Sequence, residues 1–447
     1  NLGRFVEDKL DEKFSMSELA AKLSQEINGV SRIHGRVTRE MFVKLYQGYY
    51  PEELHIGYVT NGVHLPTWTA KSWLQLYDKE FGEGFISDQS NPEYWKKIHG
   101  VSDEIIWNMK LKQKGQMTEY LLQHLFSDMT RRHENPKLIF RMKDAFNPKA
   151  LTIGFARRFA TYKRAHLLFS NLDRLSAIIN NKDKPVQFVF AGKAHPHDKA
   201  GQDLIKRIYE ISHMPEFVGK IFFIENYDME VAKYLIRGVD IWLNTPTRPL
   251  EASGTSGEKA VMNGVVNFSV LDGWWAEGYR PNAGWALQEE ATYDNPQFQD
   301  ELDAETIYSL LEEEIIPLYY DVDANKVPVK WVSYIMNTIS EIAPHYTMKR
   351  QLDDYIRQYY NPLFKRIRLM SAKNYEMARH IANWKRKVIR GWDSIEIISV
   401  VTPDSNVKPL SLGESFKAEI TLDLNELSGT DIGIEVLFGK KINDEVK

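Results

Sequence analysis

The chain has 447 residues, with 57 basic against 61 acidic side chains for a formal net charge of −4, and it contains no cysteine. That near balance leaves no electrostatic footprint for nucleic acid or an anionic membrane, and the missing thiols exclude disulfides, thiolate catalysis and zinc–thiolate sites while agreeing with a reducing compartment. No apolar run reaches the length of a membrane span and the opening segment lacks a signal-peptide layout, so a soluble cytoplasmic protein of roughly two to four domains is expected.

In chain order, Phe14 to Val30 carries apolar residues at helical spacing (Leu19, Leu23, Ile27) and reads as a helix entering Asn28-Gly-Val-Ser-Arg-Ile-His-Gly35. The abrupt start, with no strand-rich lobe before it, looks cut from something longer. Ile56 to Trp68 reads as a strand breaking into a Gly/Pro loop, followed by a mostly helical, aromatic-rich stretch to about Ala145. From Leu151 to Leu271 short apolar β-rich runs alternate with helix-length segments: Leu151–Ala156, Val186–Gly192, Ile221–Glu225, Val239–Leu243 and Val265–Val270. That alternation predicts a parallel sheet with helices on both faces. Helical periodicity returns from Ala304 to about Arg390. Beyond Trp392 the period switches to alternation in Ser394–Val401, Phe416–Leu424 and Ile432–Phe438, a small sandwich-like β appendage.

In such a sheet ligands lie beyond the carboxyl ends of the strands. Four polar groups directly follow four different strands: Arg157-Arg158, Gly192-Lys193, Glu225-Asn226-Tyr227, and the stretch Glu251-Ala-Ser-Gly-Thr-Ser-Gly-Glu-Lys259. The last reads as strand, tight loop, short helix. Gly254 and Gly257 permit positive φ and close approach, and the first amides of the helix sit at the positive end of its dipole, facing any anion in the loop. Lys259 in the first turn gains nothing from that dipole, so a covalent bond to a phosphorylated cofactor is one explanation and a solvent-facing lysine behind a Ser/Thr cap is the other. His195-Pro-His197 has no carboxylate or thiol cluster beside it, and no metal site is expected.

On these residues the chain resembles the α-glucan phosphorylases over roughly Phe14 to Arg390. The most specific matches are Glu251 to Lys259 and Leu271-Asp-Gly-Trp-Trp-Ala-Glu-Gly-Tyr279, which is similar to the shorter bacterial branch. Supporting motifs are Asn28 to His34, Val59-Thr-Asn-Gly-Val63, Arg157 to Arg164, Ala191-Gly-Lys-Ala194 and Glu225 to Tyr227. The resemblance implies an α/β fold, the Rossmann-like C-terminal lobe of a two-lobed glycosyltransferase of GT-B type, with a small C-terminal β domain. The expected divisions are 1–61, a helical remnant of the other lobe; 62–344, the cofactor and substrate lobe; 345–391, helices returning to the other lobe; and 392–447, the β extension.

It further implies that Lys259 carries pyridoxal 5'-phosphate covalently, with Lys163, Thr255, Ser256 and Tyr227 near the cofactor's phosphate. Arg158, with Arg157 beside it, would hold the substrate phosphate, and Asn61, Glu251, Ser253 and Gly254 would hydrogen-bond a glucosyl unit. The activity implied is retaining transfer of a terminal α-1,4-linked glucosyl unit from glucan to inorganic phosphate, giving glucose 1-phosphate in glycogen metabolism, by an enzyme that is a homodimer at full length. Two alternatives stand beside it: a nucleotide-sugar-dependent glucan synthase of the same fold, and a non-catalytic glucan-binding module. Glu258 departs from the family, whose members usually carry methionine there. The glycine-rich loop of the other lobe has no counterpart in this sequence, so the chain by itself is expected to fold without turning over glucan.

Overall fold

The computed structural model describes residues 3, 4, 13–287, 293, 295–402, 415, 417–435, 441, 442, 445 and 446. They form two compact units, Asn1–Ile356 and Arg357–Lys447.

In the first unit, two short strands, β1 (Ile27–Gly29) and β2 (Ile56–Tyr58), pair in parallel. The helix expected over Phe14 to Val30 is shorter, Met16–Leu23. It stops where Ser24 turns extended and closes the last turn with its N–H on the Ala20 carbonyl. The central sheet has six parallel strands: β3 (Leu151–Ala156), β4 (Val186–Ala191), β5 (Ile221–Ile224), β6 (Ile241–Asn244), β7 (Val266–Val270) and β8 (Gly284–Leu287). Their spatial order is β5-β4-β3-β6-β7-β8. Counted from the sheet's own first strand this is 3-2-1-4-5-6, the doubly wound order. Every residue of the six strands is buried, which is why they read as continuous apolar runs rather than alternating ones. β8 has no counterpart among the expected strands: it is four residues long, opens on glycine and is an edge strand, so it carries little periodic signal.

Helices cover both faces. One face holds the aromatic group Trp73, Tyr77, Phe81, Phe85 and Trp95, all fully buried. The other packs Met117, Leu121, Val231 and Leu235 against Trp242 and Val189. Between them lies a buried ion pair: Lys114 Nζ stands 2.5 Å from Asp240, donates to the Tyr319 hydroxyl and the Ala150 carbonyl, and anchors the amino ends of β3 and β6.

In the second unit, Asn361–Gly391 forms two helical arms joined at a kink, Ala372–Tyr375, three of whose residues have positive φ. Phe364, Ile367, Leu369 and Ile389 on these arms are all more than half exposed. Two further strands, β9 (Glu396–Val401) and β10 (Glu419–Asp423), form an antiparallel ribbon. Of the third expected run, Ile432–Glu435 is not in a strand and Val436 to Phe438 lie outside the described residues. The described residues thus supply a ribbon and a two-residue pair, Lys441–Ile442 with Glu445–Val446, where a sandwich was expected.

Candidate active site

The doubly wound order places a switch point between β3 and β6, whose following loops diverge and leave a crevice at their carboxyl ends. The two loops are fastened to each other. Thr247 N–H donates to the Tyr162 carbonyl at 2.7 Å, and Arg164 donates to the carbonyls of Thr245 and Pro246 at 3.0 and 2.9 Å. This positions Lys163, the last residue of a 3-10 turn after β3, opposite Glu251 in the loop after β6.

Glu251 accepts from both Arg157 and Lys163 at one carboxylate oxygen, Oε2. Burial alone would raise the Glu251 carboxyl, but the two cations hold it below the ordinary carboxylate range. Its backbone N–H is fixed by Asp272 Oδ2 at 2.8 Å. Burial pushes Asp272 up to about 6 against the two backbone hydrogen bonds it accepts. Arg157 is itself buried, and its Nε and Nη1 have no partner. Unpaired buried donors on a charged group are costly and mark a place where a ligand oxygen fits. Arg158, the next residue, is exposed and makes no hydrogen bond or ion pair with a described residue.

The loop turns at Gly254, whose φ of +89° and ψ of 40° are left-handed, and enters the helix Thr255–Val261. Gly257 lies inside that helix without positive φ. Its requirement is space, since a Cβ would lie 2.7 Å from Trp274 Cζ2 and 2.8 Å from Asn267 Oδ1. Ser256 Oγ accepts from the Trp242 indole at 3.1 Å, tying the first turn to β6. Lys259 is half-buried and its Nζ lies 3.9 Å from the centroid of the Trp68 ring. Its Nζ makes no hydrogen bond or ion pair with a described residue, while its carbonyl accepts from Asn263 Nδ2 at 3.0 Å. Burial lowers its pKa, partly offset by Glu258. Trp68 is held by Arg237 and Asn263, which both donate to its carbonyl at 3.2 Å.

Asn61 completes the cluster from a distant part of the chain. Its Nδ2 donates to Ser253 Oγ at 2.9 Å, its Oδ1 accepts from Gln351 at 3.0 Å, and its carbonyl accepts from Arg350 at 2.8 Å. Tyr227 packs beside the sheet; burial raises its hydroxyl to about 12, with Arg157 working in the opposite direction. Glu225 is paired with Arg132 instead of with a residue of this cluster. Lys193 is exposed, as are His195 and His197, and no group of three metal-competent side chains occurs among the described residues. Trp68, Gln351 and Arg350 were missing from the sequence-based site. Trp68 ends the four-residue helix Leu65–Trp68, a short way after Asn61, whereas Gln351 and Arg350 carry no local signal.

Cations and unpaired donors gathered at the switch point of a doubly wound α/β domain are a setting suited to phosphorylated ligands. Sequence comparison narrows the class. Residues 3–277 match the carbohydrate phosphorylase family, and the chain belongs to that family. It is 37% identical to the maltodextrin phosphorylase of Thermococcus litoralis over 99% of this chain and 50% of that protein. It is 40% identical to the glycogen phosphorylase of Aquifex aeolicus over 81% of this chain and 52% of that protein. With the glycogen phosphorylase of Mycobacterium tuberculosis it shares 35% identity over 96% of this chain and 49% of that protein. The chain thus spans about half the length of the curated relatives it matches. Among the described residues no helix is long and apolar enough to cross a membrane.

Proposed function

We propose that the chain forms the cofactor and substrate-phosphate half of an α-glucan phosphorylase, which moves a terminal α-1,4-linked glucosyl unit to inorganic phosphate with retention. The bond from the sugar C1 to the glycosidic oxygen breaks, a bond from C1 to a phosphate oxygen forms, and the proton from phosphate ends on the released glucan hydroxyl. The observation that carries this reading is the cation excess of the crevice. Arg157, Arg158, Lys163 and Lys259 outnumber the acids beside them, Glu251 on the cations and Asp272 behind its backbone, and two donors of Arg157 are unpaired. Such a set suits two phosphate groups brought together, whose mutual repulsion must be offset by fixed positive charge.

The residues fit pyridoxal phosphate. Lys259 is sheltered, unpaired and lowered in pKa by burial, as a lysine that bonds a carbonyl carbon needs to be. Lys163, the Thr255 and Ser256 amides and Tyr227 would hold its phosphate. When bound, the cofactor would supply a phosphate that donates a proton to the substrate phosphate. Arg158, exposed and next to Arg157, would hold that substrate phosphate. Glu251, Ser253, Gly254 and Asn61 would orient the sugar, the last through the rigid chain from Gln351. The carboxylate that neutralises Arg157 and Lys163 is also the one assigned to the glucosyl unit. Phosphate arriving on those cations would release Glu251 for the sugar hydroxyls, so the two substrates would assist each other.

The names of the relatives support a phosphorylase over a nucleotide-sugar synthase or a non-catalytic module. A cytoplasmic homodimer at full length remains part of the proposal on resemblance alone. The test is cofactor attachment. Incubation with pyridoxal phosphate followed by borohydride should label Lys259 and no other lysine. A label elsewhere, or undiminished uptake by folded Lys259→Ala, would reject the assignment.

A further inference from the structure

A second basic recess, separate from the crevice, lies where the helix Arg32–Phe42 meets the loop after β6. It has a volume of about 420 Å³, and four of its lining side chains are arginines: Arg32, Arg36, Arg39 and Arg248. Glu52 is the only acid among its lining residues. Tyr58, Ile33 and Leu271 give it an apolar wall.

Local structure does not account for this arrangement. Arg32, Arg36 and Arg39 stand at i, i+4 and i+7 on one face, where like charges repel. The first helical turn contains no acid of its own, and the dipole's positive end is met from outside the helix by Glu277, whose Oε1 accepts from the Arg32 N–H at 3.3 Å. Ion pairing within the helix is confined to Arg36 with Glu40, at 4.0 Å and largely exposed. Arg32 and Arg39 each donate to one backbone carbonyl, those of Ala276 at 3.3 Å and Ile56 at 3.0 Å. Those contacts orient the guanidinium groups and leave most of their five donors unspent. Arg248 makes no hydrogen bond or ion pair with a described residue. In a chain of net charge −4, four converging guanidinium groups form a local focus for a multiply charged anion.

We infer that this recess is an anion site for a phosphate group, free or esterified to a small molecule, distinct from the crevice at Lys259. Planar paired donors match phosphate oxygens, and the apolar wall leaves room for an attached ring. The inference does not depend on the activity proposed above. The recess does share Leu271 and Ala276 with the segment whose Asp272 fixes Glu251, so an occupant would touch the same segment that sets the crevice.

The test is calorimetric titration of the chain with inorganic phosphate and then with a hexose phosphate, using wild type, Arg36→Gln/Arg248→Gln and Arg158→Ala. The melting curve of each variant serves as the check on folding. Two classes of phosphate site are expected in wild type, with the double substitution weakening one by about tenfold or more and leaving the other. Tighter binding of the hexose phosphate than of inorganic phosphate at that class would identify an ester as the ligand, and equal binding would identify free phosphate. Unchanged affinities in the folded double variant would overturn the inference, as would loss of all phosphate binding in Arg158→Ala. Should Arg158→Ala keep both classes while the double variant loses one, the recess stands and the crevice assignment fails.

Discussion

Glu258 offers the sharpest check on the physics of the site. Its side chain is fully buried, neither carboxylate oxygen has a hydrogen-bond partner, and burial raises its pKa well above the ordinary value against opposing effects from Arg350 and Lys259. A group whose native pKa lies above its unfolded value binds its proton more tightly when folded. Stability is therefore greatest below the unfolded pKa and falls as pH rises through the native one, by about 1.4 kcal/mol per pH unit across that window. Glu258→Met removes both unpartnered oxygens at nearly constant volume and should stabilise the chain by about 1–3 kcal/mol near neutral pH. Glu258→Gln should abolish the slope while keeping the unpartnered polar atoms, so its gain should be smaller. The measurement is urea unfolding of the three proteins from pH 4 to 9. Other titrating groups cancel in the differences between proteins. A Glu258→Met variant that is less stable than wild type at neutral pH, or a difference that does not vary with pH, would show that the carboxyl has a partner and is ionised in the folded state.

Three further outcomes are expected. Arg158→Ala should lose about 2–4 kcal/mol of transition-state stabilisation in the intact enzyme, expressed in the phosphate KM and kcat while the glucan KM changes little; equal losses for both substrates would contradict its role. Gly254→Ala forces a left-handed conformation on a residue with a Cβ, costing about 1–2 kcal/mol, and puts that Cβ 3.1 Å from Trp274; its melting temperature and cofactor uptake should both fall. Lys114→Met strands the Asp240 carboxylate in the core and should cost about 3–5 kcal/mol by denaturant unfolding, with Lys114→Met/Asp240→Asn recovering part of it.

The sheet was legible because its strands are buried on both faces, so Leu151–Ala156 and Val186–Ala191 stand out as apolar blocks whatever their neighbours. Once the strands were placed, the rule that ligands lie beyond their carboxyl ends selected Arg157 and Glu251 without any knowledge of contacts, along with Lys193 and Glu225, which lie outside the cluster; Lys163 came from the family resemblance. Gly254 was legible for a local reason, since a tight strand-to-helix turn requires left-handed backbone. The partners of Asn61 were not. Gln351 reaches it from 290 residues away, and neither periodicity nor turn chemistry encodes which amide another amide will meet.

The electrostatics of the crevice show the same division more sharply. A count along the sequence gives two arginines and two lysines near two glutamates, Glu251 and Glu258, which leaves open which acid neutralises them and which faces elsewhere. The structure places a single Glu251 oxygen on both Arg157 and Lys163 and leaves Arg158 and Lys259 without acids. Glu258, the other acid beside the lysine, is buried and biased toward its neutral form. Charge in this crevice is therefore set by burial as much as by composition. One carboxyl is held below its ordinary range by the cations it touches, the other is pushed toward its neutral form by burial, and the positive balance that remains is what a phosphate would meet.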